Sequence, residues 1–185
     1  MIGVRRPTPG RVEAYRAERE AMAPTTTPSP EPAPGYRRNT FSRVIGSGPA
    51  DFDRGRDGLQ RWVAHRRAAV AVVPADAALV EGTTVGLVMR QPGIWVLASC
   101  RITTVVDEPD RFGFVYATLP GHLVDGYESF FITGAGGEVT FEVSMVSRPA
   151  SPLVRLAGPV GRHLQRRAVG AYLSGLHAWI HAGAS

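Results

Sequence analysis

Residues 111–130 read RFGFVYATLPGHLVDGYESF, and the way they alternate sets the architecture. Phe112, Phe114, Tyr116 and Thr118 fall on one side of an extended chain, with Gly113, Val115, Ala117 and Leu119 on the other. That is the period of a strand with one lined face. Leu119-Pro120-Gly121 ends the strand, because proline withdraws a backbone donor and glycine accepts positive φ. His122 and Asp125 ride on the turn that follows, and an extended run resumes over 127–133. The hairpin gathers His122, Asp125 and Glu128 near one end of an aromatic strand. Titratable groups so placed are what a site needs; the plain alternative is a hairpin with a solvated tip.

Outward from this hairpin, similar runs at 36–45, 69–73, 83–89, 94–106 and 139–147 are separated by Gly, Pro or Asp breaks. Together they predict seven strands, and the short separations imply an antiparallel meander rather than crossover units. Val139, Phe141, Val143 and Met145 mark one apolar face that must be covered. Two helices are predicted, and the C-terminal one supplies the cover. Ser47 or Gly48 caps a helix that Pro49 starts, with Phe52, Leu59, Trp62 and Val63 at helical spacing as core residues, through to about His65. His65 itself reads as a surface residue in an Arg-rich helix end. The second helix runs from Pro152, restarts at Gly158-Pro159 and continues to about His181. Leu164, Ala168, Ala171, Tyr172, Gly175, Leu176 and Trp179 form its apolar stripe, while Arg162, Arg166, Ser174, His177 and His181 fall off it. Ala171 and Gly175 are small enough to let this helix approach the sheet or to leave room beneath.

The front of the chain is set apart. Thr8 caps a helix with Pro9 at its first position, ending before Pro24, and the Thr/Pro/Ser/Glu run to Gly35 lacks the apolar residues to fold. The division is a helical arm at 1–23, a Pro-rich linker at 24–35 and a domain at 36–182, with the arm docked and the linker loose. No apolar run approaches the ~20 residues of a membrane span, and the N-terminus lacks a signal-peptide layout, so the expected location is cytoplasmic. Cys100 is the one cysteine, which leaves no internal disulfide and no structural zinc; it reads as core. The 185 residues carry 21 cations, all of them arginine, and a formal charge of +5. Acidic residues are interspersed and nucleic-acid signatures are absent, so the arginines point to base composition in the gene rather than to nucleic-acid binding.

Strand, helix, six-strand meander and long terminal helix is the order of an α+β helix-grip fold, a seven-stranded curved antiparallel sheet wrapped around its C-terminal helix. The space between helix and sheet is the natural place for a small-ligand cavity. Several segments carry a family resemblance: Arg6-Pro7-Thr8, Gly46-Ser47-Gly48, Cys100-Arg101, Phe114-Val115-Tyr116, Thr118-Leu119-Pro120-Gly121-His122, Ser147-Arg148-Pro149, Arg155-Leu156 and Gly158-Pro159. In this order they resemble the family called domain of unknown function 1990, or uncharacterised protein family 0548, along nearly the whole chain. The resemblance implies a START-like or polyketide-cyclase-like fold whose members bind hydrophobic ligands and sometimes transform them. Where that family has Tyr-Gly-Thr this chain has Ala117, and in place of paired glutamates it has Tyr127-Glu128.

The expected function is to hold a small apolar or aromatic metabolite between sheet and helix, without metal or cofactor. Arg101, Phe114, Tyr116, Thr118, Tyr127 and Tyr172 are the candidate ligand contacts, and His122 and Glu128 the candidate catalytic pair. Glu128 shares strand parity with Phe130 and Ile132, and Arg101 would pair with it if both faced inward. His122 titrates near neutrality and so suits proton transfer. Arg148 reads as a tie between the last strand and the helix. The alternative is a cofactor-independent cyclase, dehydratase or isomerase of a polyketide-like substrate; a third reading is an interaction module that uses the Arg-rich faces.

Overall fold

The computed structural model describes residues 1–150, 154–155 and 158–182. The expected helix start at Pro152 and the motif residue Leu156 lie outside them. The elements are β1 (Ile2–Gly3), α1 (Pro9–Arg19), β2 (Arg37–Ser47), α2 (Gly48–Gln60), α3 (Val63–Arg67), β3 (Val70–Val73), β4 (Thr84–Gln91), β5 (Ile94–Glu108), β6 (Arg111–Thr118), β7 (Val124–Thr133), β8 (Glu138–Pro149) and α4 (Gly158–His181). One antiparallel sheet has the order β2-β8-β7-β6-β5-β4-β3. These are the seven strands expected. An eighth, β1, pairs with β5 at Trp95 and Val96. That stretch of β5 has a vacant edge because β6 pairs only from Cys100 onward.

Registers across the sheet place residues in rows. On the concave face one row runs Asn39, Met145, Glu128, Tyr116 and Ile102. The next runs Phe41, Val143, Phe130 and Phe114, and the one after that Arg43, Phe141, Ile132 and Phe112. The concave face is thus apolar over most of its length and turns polar at the Glu128 row. Against it pack Phe52, Leu59, Trp62, Val169, Tyr172, Leu176 and Ile180 from the helices, in one continuous core.

The expected single helix over 49–65 is two. Trp62 takes a left-handed conformation (φ 56°, ψ 27°) between α2 and α3, and its indole N–H donates to the Ala77 carbonyl at 2.7 Å. The strain of a non-glycine residue at positive φ is held by that hydrogen bond and by complete burial of the ring. Gly175 also has a different partner from the one expected. A Cβ there would lie 2.6 Å from Arg67 Cβ, and one at Gly58 would lie 2.6 Å from Leu176 Cδ1, so the small residues bring α4 against α2 and α3 rather than against the sheet.

The convex face is covered in part. Val12 and Tyr15 of α1 pack on Val88 and Leu97. The segment after α1, expected to be loose, is tied down: Thr25 N–H donates to the Thr118 carbonyl at 2.8 Å, and Tyr127 Oη donates to the Ser29 carbonyl at 2.7 Å. Its lack of apolar residues does not free it, because its polar backbone finds partners at the sheet. Arg148 pairs with Asp125 (3.3 Å), its register partner across β7 and β8, and its guanidinium lies over Tyr36, so it ties two strands rather than strand and helix.

Sheet closure depends on Gly113, where an added Cβ would collide with the Phe130 carbonyl oxygen, a backbone atom with no rotamer to change. Gly113→Ala is expected to cost about 1–3 kcal/mol, the range of overpacked cores, in urea denaturation. An unchanged midpoint would show that the β6–β7 pair can spread.

Candidate functional site

The interior cluster grows from β6 and β7. Tyr116 and Glu128 are register partners on the concave face, and the phenol donates to Glu128 Oε2 at 2.6 Å. Two residues along each strand, Phe114 and Phe130 stack at 5.2 Å. Tyr172 of α4 meets Phe130 edge-on at 5.4 Å. Into this group α3 inserts His65, only 1% exposed, with ring centroids 4.7 Å from Phe130, 4.9 Å from Trp62 and 5.0 Å from Tyr172. Its Nε2 lies 3.3 Å from the Tyr116 hydroxyl. A histidine, a tyrosine and a glutamate are therefore linked in a line. Glu128 is only half-buried, whereas Tyr116 and Tyr172 are buried, so the line runs from the core to the rim.

Burial dominates the protonation of all of these groups. It lowers the His65 pKa to about 3, so the imidazole is neutral at physiological pH. It raises Glu128 above the ordinary carboxylate value, with the Tyr116 hydrogen bond pulling the other way. Tyr116, Tyr172 and Cys100 are raised first by burial and then by the nearby carboxylate. The Cys100 thiol is accordingly protonated and fits the core role expected of it.

The other expected site residues lie elsewhere. Arg101 alternates with Cys100 and so faces the convex side. There it donates to the carbonyls of Met22 (2.9 Å), Glu20 (2.5 Å) and Arg19 (3.3 Å), holding the C-terminal end of α1. It does not meet Glu128. Tyr127 also faces outward, in a cluster with Val115, Ala117 and Val146, and its hydroxyl is bound to Ser29. Thr118 shares a 2.6 Å hydrogen bond with Thr25 and accepts the Gly126 N–H at 3.0 Å. His122 lies half-buried in the turn, its Nδ1 accepting the Val124 N–H at 3.1 Å, and burial lowers its pKa to about 4. The turn beside it is a dock for the arm: Tyr15 Oη and Arg19 Nε donate to the Gly121 and Pro120 carbonyls at 3.3 and 2.9 Å. Among the described residues no contact joins His122 to Tyr116 or Glu128.

Phe114, Tyr116, Glu128 and Tyr172 are the candidates that do come together, and His65 is the member the sequence reading missed. A signal was present, since His65 follows the core residue Trp62 by three positions and so shares its helix face. Strand alternation also bears on the missing second acid. A glutamate in place of Tyr127 would face the convex side and could not share an interior site with Glu128. A separate hollow of 310 Å³ lies on the convex side among Arg111, Phe131, Thr133, Thr140, Glu138 and Glu142, with Arg111 over the Phe131 ring at 4.6 Å.

A curved antiparallel sheet that grips a terminal helix over an aromatic interior is the helix-grip fold. Within that class, residues 17–175 match the model of the family described as Domain of unknown function (DUF1990), and the chain belongs to that family. A UPF0548 protein of Deinococcus radiodurans is 36% identical over 192 aligned positions, covering 93% of this chain and 95% of the relative. Among solved structures, a protein of Thermus thermophilus superposes with a TM-score of 0.58 at 18% identity, over 80% of this chain and all of its own. The Zhui aromatase/cyclase of Streptomyces sp. R1128 superposes with a TM-score of 0.57 at 13% identity, over 81% and 96%. These likenesses show the fold. No helix among the described residues is long and apolar enough to cross a membrane.

The neutral state of His65 has a consequence for acid stability. A histidine whose native value lies near 3 binds its proton less readily folded than unfolded, so stability is lost as pH falls from about 6.5 toward 3. Each unit costs about 1.4 kcal/mol, or about 2 kcal/mol on going from pH 6.5 to about pH 5. His65→Phe, which keeps an aromatic ring in place, is expected to lack this component. The difference in unfolding free energy between the two proteins should therefore change by that amount over the interval. Parallel pH profiles would show that His65 protonates freely in the folded chain.

Proposed function

We propose that the protein holds a small apolar or aromatic molecule between the sheet and α4, with Glu128 and Tyr116 as its polar contacts. The observation that carries this reading is the 2.6 Å hydrogen bond between the buried Tyr116 and the half-buried Glu128, beside a group formed by Phe114, Phe130 and Tyr172. An apolar concavity with a few placed polar groups is the usual make-up of a small-molecule site. The shared fold of a protein named as an aromatase/cyclase agrees with it. Native mass spectrometry of freshly purified protein, beside a denatured sample, tests the reading. A discrete added mass that is lost on denaturation is expected. Bare protein in every preparation would reject a tightly held ligand.

A second reading, a cofactor-independent cyclase, dehydratase or isomerase, has its own support in the line from His65 through Tyr116 to Glu128. Such a line moves a proton between rim and core without exposing a charge to the apolar interior. In this reading Tyr116 and Glu128 take the proton-transfer role expected of His122. Tyr116→Phe should then keep the added mass while lowering turnover of the identified compound by about 10²–10⁴-fold, the usual share of general acid–base catalysis. Equal turnover by variant and wild type would remove Tyr116 from the chemistry.

A further inference from the structure

The interior reading above leaves open what kind of polar group the ligand offers, and the surroundings of Glu128 narrow it. Tyr116 donates to Oε2, and with that proton committed its oxygen can only accept from His65 Nε2. Donation runs in one direction, toward Glu128, and Oε1 has no partner among the described residues.

Among the described residues no cation answers this carboxyl either. The chain carries 21 arginines, yet the described ion pairs of its acids all lie at other glutamates and aspartates. Arg101, the nearest candidate by sequence reasoning, is committed to three carbonyls on the other side of the sheet. The titratable groups that face Glu128 are Tyr116 from β6, Tyr172 from α4, Cys100 from β5 and, through Tyr116, His65 from α3. Its register partner on β8 is Met145, with Asn39 beyond it on β2. None of these is a cation at neutral pH, since burial holds the imidazole neutral. An anionic ligand would add like charge to an acid that has no cationic partner among the described residues.

We propose that the site takes an organic amine on an aromatic or apolar body, its ammonium group on the Glu128 carboxyl at the rim and its body toward Tyr116, Phe130 and Tyr172. This rests on the interior-binding reading and adds the ligand class to it. Ring faces attract cations, so the walls that suit the body also tolerate the charge. A donor from an ammonium to a carboxylate is the stronger, charge-assisted kind.

Calorimetric titration of the full chain with 2-phenylethylamine, 2-phenylethanol and phenylacetate, matched in size and different in charge, tests the assignment. The amine is expected to bind about tenfold more tightly than the alcohol, with phenylacetate weakest, on the scale of a hydrogen bond to a charged group. Glu128→Gln, nearly the same shape and still an acceptor for Tyr116, should bring the amine level with the alcohol. Wild-type binding of the alcohol or of phenylacetate as tight as the amine overturns the amine assignment and leaves interior binding standing. An amine preference that survives in Glu128→Gln overturns it too, by placing the amine elsewhere. Binding of none of the three takes down the interior reading itself.

Discussion

Both faces of the sheet carry a buried cluster, and this constraint governs the rest. Where one face meets water, strand alternation separates apolar from polar positions; here it separates two interiors. Phe112, Phe114, Tyr116, Phe130 and Ile132 go to the concave core, whereas Val115, Ala117, Tyr127 and Val146 go to the convex one. A one-residue shift of register would exchange the two sets and put Glu128 beneath the strap of residues 22–35. The hydrogen bonds from that strap to Thr118 and Tyr127 hold the register from outside, while the ring contacts hold it from within. The site is thus fixed by residues that never touch it.

The concave interior also has a direction. Its deep rows are hydrocarbon and aromatic, and the Glu128 carboxyl stands half-buried at their edge. Burying a charge without a partner is costly, so the groups at this end are held in uncharged or shared states. His65 is the clearest case, an imidazole enclosed by Trp62, Phe114, Tyr116, Phe130 and Tyr172. The left-handed turn at Trp62 makes this possible. It separates α2 from the short α3 that carries His65, and the Trp62 and His65 rings meet edge-on at 4.9 Å.

Much of this was legible from the residues. Period-two runs with Gly and Pro breaks located the seven main strands, and the stripe of Leu164, Tyr172, Leu176 and Trp179 located the gripped helix. Parity placed Glu128 with Phe130 and Ile132, and the structure puts it there. What failed were inferences from neighbourhood in sequence. His122 and Asp125 sit beside Glu128 in the hairpin, but one caps the turn and the other pairs with Arg148. Arg101 precedes an inward residue and therefore points away. His65, set among arginines, was assigned to the surface, although its spacing from Trp62 marked the buried face. Backbone strain at a non-glycine residue leaves no sequence signature, and so the turn that aims His65 was out of reach.

The linked groups respond to pH in opposite senses, and the link makes that useful. His65 has a native value below its unfolded one, so it withdraws stability as pH falls from about 6.5. Glu128 has a native value above its unfolded 4.5, so its contribution is full below that point and is lost as pH rises through the raised value. Above the ordinary carboxylate value, and up to the raised value of Glu128, the two slopes oppose each other. Tyr116 lies between them, bonded to both, and can pass a proton without itself ionising. An ammonium group arriving at Oε1 would favour the carboxylate and draw the native value of Glu128 down. Its binding would release a proton and weaken with acidity, through the same carboxyl that the empty fold holds back from ionising.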